Sequence, residues 1–304
     1  MSGLQGGLAA LAVLALVGTT AAQEPAPAQR GGGVVGTLIV AHGAGPEWNA
    51  QVEAVAREVR TGGPVQTSFL MGPGAQALPF QVAAQRLVDA GATEIVVVPV
   101  LVSSHSGHYE QIRYLAGETD TLSQAMRHHL DMSGIAPAEV DVPVRVAPAM
   151  DDSPEVARVL AERALALADV PREQALFLVG HGPNGAEDYA AWMANLRPVA
   201  DTVRSMAGFR DVKVGLLRDD APAAVRAEAV RGIREIIQLQ HALTGRDVVV
   251  VPVLVSRGRM TRETIPADLE GLPIRYSGEA LLPHPGLARW IEARVAEMRR
   301  VASR

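Results

Sequence analysis

Eight short apolar runs, arranged as two sets of four, constrain the fold of this chain more than any other feature. Amphipathic stretches separate the runs, and this alternation is typical of βαβ units with a parallel sheet. The predicted strands of the first set are 37–41, 65–70, 95–102 and 142–146, and those of the second set are 175–179, 212–217, 248–255 and 274–277.

Three sequence words recur in the same order in both sets. LIVAHGAG (38–45) matches LFLVGHGPNG (176–185), VVVPVLVSS (96–104) matches VVVPVLVSR (249–257), and 142–164 matches 272–295. An ordered repeat of this kind indicates an internal duplication. We therefore predict an α/β protein made of two tandem, flavodoxin-like, doubly wound parallel-sheet domains, which face each other across a cleft. The predicted domains are 34–170 and 171–304.

The first 33 residues have the composition of an export signal and a linker. Leu8 to Val17 is an uninterrupted apolar run, and small residues follow it up to Ala22. A bilayer span needs about 18 apolar residues or more, so this run is typical of a cleaved signal peptide, with a membrane anchor as the alternative. We predict a signal peptide over 1–22 and a flexible linker over 23–33. The protein would then be exported, to the periplasm, with no stable membrane span after cleavage.

Charge and composition exclude several classes of function. The 304 residues include 33 acidic and 28 basic side chains, a net charge of −5, which gives no electrostatic basis for binding nucleic acid. The chain has no cysteine, so any metal ion must be held by His, Asp or Glu. Lys213 is the only lysine, and it does not stand in a phosphate-binding P-loop motif. A Gly-x-Ser-x-Gly elbow of serine hydrolases and an Arg-His-Gly word of histidine phosphatases are also absent.

Histidines follow two strands that the predicted fold places side by side. His42 comes directly after 37–41, and His105 and His108 follow 95–102. In a flavodoxin-type order the first and third strands are neighbours, and ligands bind at their carboxyl ends. Neutral imidazole is the best available ligand for a late first-row divalent ion when thiolates are missing. The sequence therefore predicts a metal site here. The alternative is that His42 caps a turn while His105 and His108 are solvated.

The second half repeats only part of this pattern. His181 repeats His42, but Met260 stands where a second ligand is expected. We therefore predict that the first half is catalytic and that the second half has a degenerate site. Solvent-exposed roles are predicted for His128, His129 and His241, whereas His284 is a candidate for lining the cleft.

The sequence motifs of this chain resemble those of the sirohydrochlorin chelatases of the CbiX/SirB type, the class II tetrapyrrole metal chelatases. The resemblance rests on LIVAHGAG, VVVPVLVSSHSGHYEQI and VVVPVLVSRGRMTRETIP, and extends from about 34 to 301. It implies two chelatase-like domains that insert Co²⁺ or Fe²⁺ into a tetrapyrrole such as sirohydrochlorin. The implied partners are the tetrapyrrole and the divalent ion, with no cofactor beyond that metal substrate.

The resemblance also points to site residues. It implies His42 as a metal ligand together with His108 or His105, and His181 as the matching residue of the second half. Family members carry a single histidine where this chain has two, so the second ligand stays open. Glu110 or Glu47 would accept the pyrrole protons, and Arg113 or Arg257 could pair with substrate carboxylates. The competing hypothesis is an exported metal- or tetrapyrrole-binding protein without turnover, which would use the same histidines.

Overall fold

Two four-stranded parallel sheets form the frame of residues 33–302, the part of the chain that the computed structural model describes. The first sheet has the order β2-β1-β3-β4 and the second has β6-β5-β7-β8, so the predicted duplicated, flavodoxin-like architecture is confirmed. The predicted signal peptide 1–22 and nearly all of the linker 23–33 lie outside the described residues. The strands are β1 Val35–Ala41, β2 Val65–Phe69, β3 Glu94–Val100, β4 Val144–Val146, β5 Ala175–Gly180, β6 Asp211–Leu216, β7 Val248–Val253 and β8 Ile274–Tyr276.

Helices connect the strands and cover both faces of each sheet. Among the described residues, no helix combines the length and the apolar character that a membrane span requires. The helices are α1 Pro46–Ala56, α2 Gly72–Ala77, α3 Phe80–Asp89, α4 Gly107–Leu115, α5 Gln124–Ser133, α6 Pro154–Leu165, α7 Ala186–Ala207, α8 Ala223–Thr244, α9 Ile265–Asp268 and α10 Pro285–Ala302.

The central strands read as continuous apolar runs because both of their faces are buried. Along β1, Ile39 and Ala41 face a core that the two sheets share, whereas Leu38 and Val40 face an outer core against α3. The strand β3 ends earlier than predicted. The amide of Leu101 donates to the carbonyl of Pro99 at 2.8 Å, which turns the chain out of the sheet.

The two halves exchange one helix each. The helix α6 follows the first sheet in sequence but packs against α7 and β7 of the second half. Conversely, α10 follows the second sheet but packs against β3 and α1 of the first half, with Trp290 only 1% exposed. The inner faces of both sheets therefore belong to one central hydrophobic core.

Candidate metal centre

His42 stands directly after β1, where the chain makes a turn that requires glycine. Gly43 has φ +86°, and a Cβ atom at this position would lie 2.4 Å from the carbonyl oxygen of Met71. The Nδ1 atom of His42 lies 2.7 Å from the carbonyl oxygen of Gly43, so Nδ1 carries the proton and donates it. The neutral ring therefore keeps a free lone pair on Nε2.

His108 is fixed by a chain of hydrogen bonds in the first turn of α4. Ser106 caps this helix by accepting from the amide of Tyr109 at 3.2 Å. The Nδ1 atom of His108 lies 2.7 Å from Oε1 of Gln111. Nε2 of Gln111 donates to the carbonyl of Met126 at 2.9 Å, which fixes the amide orientation. Nδ1 of His108 is therefore the donor, and its Nε2 is again free to bind a metal ion.

His42 and His108 meet at the carboxyl ends of β1 and β3. Their ring centroids lie 4.5 Å apart in an edge-to-face arrangement. Burial lowers the pKa of His42, and the neighbouring His181 and His129 lower it further. Burial and the His42 ring lower the pKa of His108 from 6.5 to about 4. Both imidazoles are therefore neutral at pH 7, which is the state that binds a metal ion.

His129 is a third histidine in this region, and the prediction of a solvent-exposed role for it was wrong. Its ring centroid lies 6.3 Å from that of His108, and its Nδ1 atom is buried without a hydrogen-bond partner. The adjacent His128 is exposed, as predicted. Spacing within α5 could have identified His129, because it shares the inward helix face with Met126 and Leu130. We refer to His42, His108 and His129 as the histidine cluster.

The second half brings a different set of ligand atoms together. His181 follows β5 as His42 follows β1, and its Nδ1 atom donates to the carbonyl oxygen of Gly182 at 2.7 Å. Its Nε2 atom lies 3.2 Å from Oδ2 of Asp220. Three residues, His181, Asp219 and Asp220, each offer one ligand atom, and these three atoms lie within 4.8 Å of one another. We refer to these three residues as the His–Asp group.

The sequence repeat did not predict Asp219 and Asp220, because it points to the loop after β7, where Met260 stands. Met260 instead packs against the outer core of the second sheet. The two aspartates follow β6, which lies beside β5, so the strand-end rule that identified His42 also applies to them. His181 and Asp220 both influence the pKa of His42, the first lowering it and the second raising it. The two sets of residues thus lie within electrostatic reach of each other.

The structure leaves His105 and Glu110 at the surface. The side chain of His105 is exposed, and its carbonyl oxygen accepts from Nε1 of Trp192 at 2.6 Å. Glu110 is exposed in the first turn of α4. Of the two histidines after β3, only His108 therefore contacts His42.

The remaining candidate residues are engaged by charged neighbours. The Arg262 guanidinium, hydrogen-bonded to Glu47, holds the pKa of that carboxyl below its usual range. Arg113 pairs with Glu118 at 3.2 Å, Arg257 with Glu279 at 3.0 Å, and His284 with Glu162 at 3.1 Å. These contacts give the four predicted residues structural partners.

The fold and the histidines together define a duplicated α/β protein with imidazole ligands at the carboxyl ends of its strands. The CbiX family model matches residues 36–167 and again 175–298, so the chain belongs to the CbiX family, the chelatase family to which its sequence words point. No curated protein matches the chain in sequence.

Solved structures share this fold. SirB from Bacillus subtilis with Fe³⁺ is 17% identical, with a TM-score of 0.62, over 89% of this chain and 97% of SirB. The sirohydrochlorin chelatase SirB from Bacillus subtilis subspecies spizizenii in complex with cobalt is 16% identical, with a TM-score of 0.56, over 88% and 96% of the two chains. DR2241 from Deinococcus radiodurans, described as a multi-domain protein with structural similarity to chelatases, is 18% identical, with a TM-score of 0.57, over 87% of this chain and 55% of that one.

Proposed function

We propose that this protein is a metal chelatase that inserts a divalent ion, Co²⁺ or Fe²⁺, into a tetrapyrrole such as sirohydrochlorin. Membership of the CbiX family supports this reaction. The observation that carries the proposal is the pair of neutral imidazoles, His42 and His108, whose rings lie 4.5 Å apart with both Nδ1 atoms already occupied. Two solved structures named SirB contain Fe³⁺ and cobalt, and the second is named a sirohydrochlorin chelatase, which supports a transition ion as the substrate.

The proposed chemistry exchanges two protons for one ion. A divalent ion held by Nε2 of His42 and Nε2 of His108 keeps its other coordination positions for water or for the pyrrole nitrogens. As the ion enters the macrocycle, four metal–nitrogen bonds form, the bonds to the two histidines break, and two pyrrole N–H protons leave. Glu110, two residues after His108, is the proposed acceptor for one proton, and solvent water takes the other. Glu47 is less suitable as a base, since Arg262 already lowers its pKa.

The test is anaerobic incubation of the protein with Co²⁺ and sirohydrochlorin, followed by the absorption spectrum of the tetrapyrrole. His42→Ala and His108→Ala should each abolish metallation, because a missing donor atom is not replaced in a site without thiolates. His105→Ala is the matched control, since this imidazole is exposed, and it should retain activity. Full activity of His42→Ala would refute the assignment.

A second outcome distinguishes the competing function. If the wild-type protein binds Co²⁺ through His42 but never metallates a tetrapyrrole, the protein is a metal-binding protein without turnover.

We further propose that the protein acts outside the cytoplasm. The apolar run from Leu8 to Val17, followed by small residues up to Ala22, supports removal of a signal peptide during export. N-terminal sequencing of protein recovered from the periplasmic fraction should give a mature chain that starts near Gln23. An intact Met1 on that protein would contradict cleavage.

A further inference from the structure

His181 and Asp220 bring a nitrogen and an oxygen donor together in the second half of the molecule. Nδ1 of His181 donates to the carbonyl oxygen of Gly182 at 2.7 Å, so Nε2 is the ring nitrogen available to a ligand. This Nε2 lies 3.2 Å from the carboxylate oxygen Oδ2 of Asp220. Two kinds of cation fit this short contact: a proton on Nε2 that forms an ion pair with Asp220, or a metal ion bound by both atoms.

The 3.2 Å separation is the distance expected for two ligands of one metal ion. Bonds of about 2.1 Å from a first-row ion to imidazole nitrogen and carboxylate oxygen, at an angle of about 100°, place the two donor atoms about 3.2 Å apart. Asp219 contributes a third donor, and the three ligand atoms lie within 4.8 Å of one another. One nitrogen and two oxygen donors with open positions suit a divalent transition ion.

The surroundings orient these ligands without using up their lone pairs. Oδ1 of Asp219 accepts from Nε of Arg226 at 2.9 Å, whereas Oδ2 lies 3.9 Å from Nη2 of Arg259, which is beyond hydrogen-bond distance. Arg226 also donates to both oxygens of Asp268 at 2.9 and 3.0 Å, so its charge is shared between two carboxylates. Carboxylate ligands of metal ions are commonly held by such outer contacts.

The loop that carries the aspartates is tied directly to the loop of His181. The amide of Arg218 donates to the carbonyl oxygen of His181 at 2.6 Å, and its guanidinium donates to the carbonyl oxygen of Pro183 at 3.2 Å. An open groove of about 470 Å³ reaches Asp219 and Asp220 from the surface. At about 30 Å³ per water molecule, this groove has room for a hydrated ion to enter.

We propose that His181, Asp219 and Asp220 form a second divalent-cation site, distinct from the histidine cluster and specific for a first-row transition ion. This proposal differs from the prediction of a degenerate second half, since the loop after β6 supplies the donors that the loop after β7 lacks. The site binds its ion without a tetrapyrrole, so it stands independently of the proposed reaction.

The experiment is a Co²⁺ titration of the full, metal-free chain without tetrapyrrole, followed by calorimetry and by the visible absorption of bound Co²⁺. Wild type should bind two ions. The double variant His42→Ala/His108→Ala should keep one of them, and Asp220→Asn should bind that ion at least about tenfold more weakly. Asp220 is 69% exposed, so its substitution leaves the fold intact.

Asp201→Asn is the matched control. It removes the same charge from an exposed position on α7, about 22 Å along the helix from the end near His181. It should bind both ions with wild-type affinity. The proposal is overturned if no ion remains in His42→Ala/His108→Ala, if Asp220→Asn binds that ion as tightly as wild type, or if Asp201→Asn weakens it equally.

Discussion

Acidification should destabilise the metal-free protein through His108, and the size of the effect follows from its pKa. In the folded chain this pKa is about 4, compared with 6.5 for a solvated histidine, because burial and the His42 ring disfavour the charged form. Between pH 6.5 and pH 4 His108 is therefore protonated in the unfolded chain but remains neutral in the folded chain. Proton binding then favours the unfolded state. The loss of stability begins as the pH falls through 6.5 and is complete near pH 4. A shift of about 2.5 units corresponds to about 3 kcal/mol.

Urea-induced unfolding, followed by circular dichroism in the presence of a chelator, measures this effect at pH 7, 6, 5 and 4. His108→Gln keeps a polar side chain but does not titrate. Its free energy of unfolding should therefore fall by about 3 kcal/mol less than that of wild type between pH 7 and pH 4. His105→Gln, which replaces an exposed imidazole, should follow the wild-type curve. Parallel curves for wild type and His108→Gln would refute the reasoning.

Three other changes test separate parts of the structure. Gly43→Ala should lower the melting temperature, because φ +86° costs an L-residue about 1–2 kcal/mol and its Cβ would lie 2.4 Å from the carbonyl oxygen of Met71; an unchanged thermal melt would contradict this. Trp290→Ala should cost about 3–5 kcal/mol in urea unfolding, since this side chain is 1% exposed in the central core, and a loss below about 1 kcal/mol would argue against the packing of α10. His181→Ala should reduce metallation at saturating Co²⁺ less than His42→Ala does, because the histidine cluster remains; the reverse order of initial rates would assign the reaction to the second half.

The sequence predicted both sheets correctly, because buried parallel strands appear as continuous apolar runs. All eight predicted strands are present, and the repeated words placed them in the correct order. Errors occurred at strand ends, where apolar residues continue past the last hydrogen bond of the sheet. Val102 and Val255 were predicted to lie in strands, but β3 ends at Val100 and β7 at Val253. Apolar character reports burial, and it does not report where backbone pairing stops.

The site was predictable only where the two halves repeat each other. His42 and His181 lie in matching words, and His108 lies just beyond another. His129 comes from the helix α5 in the long connection of the first half, and Asp219 belongs to a loop whose counterpart after β2 has no carboxylate. The exchange of α6 and α10 also had no signal, since an apolar helix face indicates that a helix packs and does not indicate which sheet it packs against.

The exchanged helices α6 and α10 link the two halves of the protein and restrict their relative movement. A hinge motion that opened the halves would have to separate α6, which packs on the second half, from α10, which packs on the first, and would expose apolar side chains of the central core to water. Such an opening costs far more than thermal energy, because about 25 cal/mol is lost for each Å² of apolar surface exposed. The spacing between the strand ends is therefore set by the core itself. We therefore expect the metal ion to reach the histidines without a hinge motion of the two halves.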